Sequence, residues 1–143
     1  SQIDSVSLSR EVIDSRSILQ NTWLGIIDTL IYPYGVHTPT IDEFVKNAGY
    51  TQARTVDNGY NTSSTDRYSL MTQSVNVDTP LSQVQAWIDY AQSNNVWLVL
   101  VFHQIDTSGS IYSSTPDTLQ GIVNYIQKTG IEALPMREAL GKL

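Results

Sequence analysis

Val96-Trp97-Leu98-Val99-Leu100-Val101-Phe102-His103-Gln104 carries seven apolar residues in a row into one of the two histidines of the chain. Three of the seven are β-branched. The run reads as a strand buried on both faces, as in parallel sheets covered by helices. In such sheets chemistry gathers at the carboxyl ends of strands, where the loops open. His103 stands at that point, either as a catalytic residue or as the polar end of a core strand.

Working back from this strand, Thr79-Pro80 places an N-cap before a proline at N1, and Leu81, Val84, Trp87, Ile88 and Ala91 form a helical stripe. Leu70 to Val75 and Gln52 to Val56 read as strands, separated by a polar loop from Asp57 to Arg67. Thr40-Ile41-Asp42-Glu43 has the form of a capping box opening a helix that Gly49 closes. Ile26 to Tyr32 reads as a strand. Leu8, Val12, Leu19 and Trp23, with Ile18 beside them, have helical spacing. Beyond His103, Thr115-Pro116 starts a helix with Leu119, Ile122, Val123 and Ile126 inward and Gly130 at its end. Ile131 to Leu134 reads as a last strand and Pro135 as the start of a short helix. Strands alternating with helices predict an α/β fold with a parallel sheet. Five strands make an open arc, whose two edges, Ile26–Tyr32 and Ile131–Leu134, expose unpaired backbone groups to a partner.

The 143 residues suit one domain, spanning 1–143. Eight basic against fourteen acidic residues give a net charge of −6, which opposes binding to phosphate backbones, so no nucleic-acid partner is expected. Neutral ligands such as sugars fit better. Without cysteine, disulfides and thiolate metal sites are excluded. No apolar stretch approaches the roughly 20 residues that span a bilayer, and no signal peptide is visible, so no membrane partner is expected. A start at Ser1 instead of methionine is what a processed, excised or trimmed chain looks like.

Ile31-Tyr32-Pro33-Tyr34-Gly35, Asn47-Ala48-Gly49-Tyr50 and Trp97-Leu98-Val99-Leu100-Val101-Phe102-His103 together resemble the polysaccharide deacetylase family (the NodB homology domain). The segments from Glu11 to Leu19 and from Tyr112 to Ile131 resemble the frame around those motifs. The resemblance covers nearly all of the chain but only the carboxyl-terminal part of the family's domain. It implies a distorted (β/α)7 barrel that hydrolyses acetyl groups from sugars of chitin, peptidoglycan or xylan. In the family one aspartate and two histidines hold a divalent metal, usually zinc, and a second aspartate is the base. The Asp-Asp and His-x-x-x-His motifs that supply these groups are absent here. Ser1 to Val12 resembles the family segment located just after those histidines, so the chain is expected to be an incomplete barrel lacking the first two strands.

Residue by residue, the resemblance implies that His103 is the leaving-group acid. It implies that Tyr34 donates its backbone N–H to the oxyanion, with Gly35 allowing the tight turn and Pro33 beside it at the substrate. Asp57 matches the aspartate that orients the histidine, although the tryptophan common there is missing. Leu98 and Leu100 match residues that shape the acetyl-methyl pocket, and Ile31 stands where many members have an arginine that tethers the base. No metal ligand and no cofactor are assigned to this chain; zinc belongs to the complete family member.

The residues also admit plainer readings. His37 fits a solvated loop or helix-start role, and Asp42 and Glu43 fit a helix N-terminus. A metal set from His37, His103 and Asp57 or Asp106 is chemically conceivable, although the family does not use these positions. Tyr60, Tyr68 and Tyr112 in loops suit either sugar stacking or ordinary packing. The expectation is therefore the carboxyl-terminal part of a metal-dependent deacetylase of N-acetylated glycans, inactive on its own. The alternatives are a half-barrel that assembles as a homodimer or pairs with the missing segment, and a carbohydrate-binding module. An extracellular or cell-envelope location is implied by the resemblance alone.

Overall fold

The computed structural model describes residues 5–22 and 25–142. The expected α/β class is observed: four parallel strands, β1 (Thr29–Ile31), β2 (Gln52–Asn58), β3 (Leu70–Ser74) and β4 (Leu100–Val101), lie in the order β1-β2-β3-β4 with helices packed on them. A separate parallel pair is formed by β5 (Gln104–Ile105) and β6 (Ser113–Ser114). The helices are α1 (Ser5–Ser9), α2 (Ser15–Asn21), α3 (Pro39–Asn47), α4 (Leu81–Asn94), α5 (Pro116–Thr129) and α6 (Met136–Ala139). The contacts sort the chain into two compact units: residues 1–55 with 66–69, and residues 56–65 with 70–143.

In the first unit, β1 and β2 pair in register, Thr29 with Gln52 and Ile31 with Arg54. Their core is Val12, Tyr32, Val45, Tyr50 and Ala53, with Leu8, Leu30 and Phe44 around it. A π-helical turn, Arg10–Asp14, joins α1 to α2, closed by the Ser15 N–H on the Arg10 carbonyl. The widened turn buries Val12 and leaves its carbonyl to accept the Tyr50 hydroxyl at 3.1 Å. Arg16 ties α2 down, donating from Nε to the Ile27 carbonyl and from Nη1 to that of Ala48. Gly49 is required beside it: its φ is 87°, and a Cβ there would sit 2.8 Å from Arg16 Nη1.

In the second unit, β3 and β4 pair Gln73 with Leu100 and Ser74 with Val101. Val75, Val84, Ile88 and Ile122 form the buried centre, and Leu98, Leu100, Phe102 and Ile126 pack against it. Alternate residues of the 96–103 run thus face α4 and α5. Asn61 stitches the strands together. Its side-chain amide donates to the Met71 carbonyl and accepts from the Met71 N–H, both at 2.9 Å, while its backbone exchanges both hydrogen bonds with Trp97 at 2.8 Å.

Several expectations are corrected. The strand to His103 is regular only at Leu100–Val101; residues 96–100 are half-buried, where β4 ends the sheet, and Val101 is buried. Ile131 to Leu134 is not a strand, so the far edge belongs to β4. Asp57 lies on β2, not in the loop. The α3 cap is Thr38, whose hydroxyl accepts from the Ile41 N–H, instead of Thr40: Pro39 takes N1, where its missing N–H costs nothing. Thr79 does not cap α4 but accepts from the Asn76 N–H. Thr115 and Gly130 do cap α5 as expected. Trp23, expected in the first helix, lies outside the described residues.

Candidate functional site

The Tyr-Pro-Tyr-Gly segment comes directly after β1. Pro33–Gly35 forms a single 3-10 turn, closed by Gly35 N–H on the Tyr32 carbonyl and Val36 N–H on that of Pro33. Tyr34 is left-handed (φ 56°, ψ 14°) and is followed by Gly35 at φ 70°. For a residue with a Cβ this conformation costs about 1–2 kcal/mol. No burial offsets it, since Tyr34 is 94% exposed. Tyr34 is thus a strained, solvent-facing residue at the end of a strand.

Beyond the turn, His37 stacks on the Tyr32 ring at 5.1 Å, and its Nδ1 lies 3.1 Å from each oxygen of Asp42. The Tyr32 hydroxyl donates to Asp42 Oδ1 at 2.8 Å. Burial raises the Tyr32 phenol far above its ordinary range, and the bond to Asp42 and the charge of Asp42 raise it further. His37 therefore has the helix-start role among its two readings. Asp42 does more than complement the α3 dipole, because it gathers two side chains from the preceding loop. The sequence signal is weak: a carboxylate in the first turn after a Tyr-x-x-x-x-His loop.

In the second unit, His103 is exposed just past β4, and its ring lies 5.1 Å from that of Tyr112, tilted by 54°. The Gln104 N–H on the Tyr112 carbonyl fastens the two segments where β5 and β6 begin. Asp57 is exposed near the end of β2. Leu98 and Leu100 pack on the α4–α5 core and line a cavity of about 370 Å³ with Ile126 and Ile131. That packing accounts for both leucines without a ligand. Among the loop tyrosines, Tyr68 belongs to the first core and donates to the Tyr50 carbonyl, whereas Tyr60 meets Tyr90 at 4.5 Å. The Asp106 carboxyl is lowered by the hydroxyl and then the N–H of Ser108.

The zinc implied by the resemblance does not fit the side chains present. His37 and Asp42 belong to the first unit, His103, Asp57 and Asp106 to the second. Among the described residues no group of three His, Asp or Glu side chains is placed to hold a metal ion. No reaction step through a metal is derived for this chain. Among the described residues, no helix is long and apolar enough to cross a membrane. Comparison of the chain with protein-family models, curated proteins and solved structures finds no match.

Proposed function

We propose that the chain is the carboxyl-terminal part of a metal-dependent polysaccharide deacetylase acting on N-acetyl groups of chitin- or peptidoglycan-type glycans, with an incomplete (β/α) barrel. The observation that carries this reading is Tyr34, a strained and exposed residue at the carboxyl end of β1, where the resemblance wants a backbone donor. A donor aimed at a developing oxyanion contributes roughly 3–4 kcal/mol to such reactions. His103, exposed past β4, is free to reach a leaving amine as general acid, the second role the motifs imply. The metal and the base come from outside this chain, and the location is extracellular or at the cell envelope.

The test begins with the reading frame preceding Ser1. It is expected to encode Asp-Asp and His-x-x-x-His motifs, and the extended protein loaded with zinc is expected to release acetate from chitooligosaccharides. The 143-residue chain given zinc is expected to release none. Acetate release by the short chain, or none by an extended protein that carries both motifs, overturns the proposal.

A second reading, assembly through the sheet edge, is favoured by β1. It ends the sheet, and Ile26 and Ile31 near it are 65% and 53% exposed. A second copy or the missing segment would cover them. Light scattering that finds only monomer at working concentration removes the homodimer.

A further inference from the structure

The helix-start role of His37 uses only one of its two ring nitrogens. Nδ1 lies 3.1 Å from each oxygen of Asp42, so Nδ1 carries the ring proton and donates it there. In the neutral ring the free lone pair then belongs to Nε2. Among the described residues Nε2 has no hydrogen-bond partner, and it is not one of the buried unpaired side-chain atoms, so it is open to solvent.

The ring is fixed while that atom stays free. It stacks on Tyr32 with centroids 5.1 Å apart and planes 20° from parallel. Asp42 is held in turn by the Tyr32 hydroxyl at 2.8 Å and by its place in the first turn of α3. Only 23% of the His37 side chain and 18% of that of Asp42 are exposed, so the two meet as an ordered pair and not as solvated surface groups. A carboxylate on Nδ1 fixes the tautomer and offsets the positive charge that forms when Nε2 reacts. Proteins activate histidine as a base or nucleophile by this arrangement.

We infer that His37 is an acyl-accepting nucleophile at Nε2, positioned by Asp42, which hydrolyses small esters of good leaving groups and needs no metal to do so. Nε2 bonds to the acyl carbon, and the C–O bond breaks with its electron pair leaving on the phenolate. The acyl-imidazolium keeps its Nδ1 proton against Asp42. Water then attacks the acyl carbon, the C–N pair returns to Nε2, and the carboxylate departs as the two protons of the water pass to solvent. Amides, whose amine leaves far less readily, are beyond this site, so the inference is independent of the deacetylase reading.

The 143-residue chain with p-nitrophenyl acetate as probe and EDTA present tests it. His37→Gln is expected to slow nitrophenolate release at least about ten-fold. Lys46→Gln, which removes an exposed amine one turn along α3 from Asp42, is expected to leave the rate unchanged. Asp42→Asn is expected to slow release several-fold and to move the neutral His37 ring toward the Nε2–H tautomer. Imidazole nitrogen NMR reads that tautomer, which loss of packing elsewhere leaves alone. A parent ring already in the Nε2–H form overturns the inference, as does a folded His37→Gln as fast as the parent chain. Should His37→Gln fail to fold, the parent tautomer and the rate of Asp42→Asn decide. The deacetylase reading is judged separately, by acetate release from the extended protein.

Discussion

Asp42 holds His37 by its Nδ1, 3.1 Å from both carboxylate oxygens, and through that contact closes the loop that carries Tyr34. The same carboxylate accepts the hydroxyl of the buried Tyr32. Asp42→Ala therefore strands two donors at once. It is expected to cost about 2–3 kcal/mol, because the Tyr32 hydroxyl is left buried and unpaired. Asp42→Asn keeps one acceptor and is expected to cost about 1 kcal/mol. Urea denaturation of both variants checks the order; equal costs would show that the hydrogen bonds are not what the carboxylate contributes.

Tyr32 also sets an alkaline limit. Burial, then the bond and charge of Asp42, hold its phenol above the ordinary range, so the folded state keeps the proton where the unfolded chain releases it. The unfolded chain then binds fewer protons than the folded one, and stability falls as pH rises. The contribution is complete below about pH 10, the ordinary phenol value, and is lost progressively above it. Tyr32→Phe is expected to flatten that decline, read as urea midpoints on either side of about pH 10. A decline as steep as that of the parent chain would place the alkaline sensitivity elsewhere.

Asn61 acts as a piece of strand built from a side chain. Its amide satisfies both backbone groups of Met71, and its backbone satisfies Trp97. Asn61→Ala takes the side-chain partner from both the N–H and the C=O of the half-buried Met71, at a cost of about 2–4 kcal/mol. Asn61→Asp restores only the acceptor and adds a charge in a fully buried position, so it is expected to be no better. Hydrogen exchange at the Met71 amide should accelerate ahead of the amides of α5 in Asn61→Ala, whereas Asn61→Asp keeps the acceptor of that N–H and strands only the Met71 carbonyl. Unchanged protection of Met71 in Asn61→Ala would refute the role.

The parts of this fold that can be read before folding are those set by short-range forces. The helices are legible because spacing and caps are local: Thr115 and Gly130 bracket α5 where expected. Thr38-Pro39 and Thr40-x-x-Glu43 overlap, and the proline decides between them in a way the box alone does not reveal. Ile131 to Leu134 has the length and composition of a strand, yet it lines an apolar cavity as irregular chain; a short apolar run does not tell the two apart. β5 and β6 are two residues each, too short for any pattern. The Tyr-Pro-Tyr-Gly turn is readable from its proline and glycine. The gathering of Tyr32 and His37 on Asp42 is not, since it exists only once the loop closes.

His103 separates the functional from the structural reading of its motif. It is exposed and meets the Tyr112 ring at its edge of the fold, outside the α4–α5 core. Substitutions at such positions usually change stability by no more than about 0.5 kcal/mol. His103→Gln is therefore expected to leave the urea midpoint of the chain almost unmoved. On the proposed deacetylase reading, the same change in a protein extended to include the metal-binding motifs would remove a general acid, and such groups contribute about 10²–10⁴-fold to rate. If His103 protonates the leaving amine as proposed, kcat is expected to fall while KM is kept, and substrates whose leaving group needs no proton are expected to suffer least. A loss of stability above about 1 kcal/mol, with activity reduced only in proportion to the folded fraction, would make His103 a structural residue.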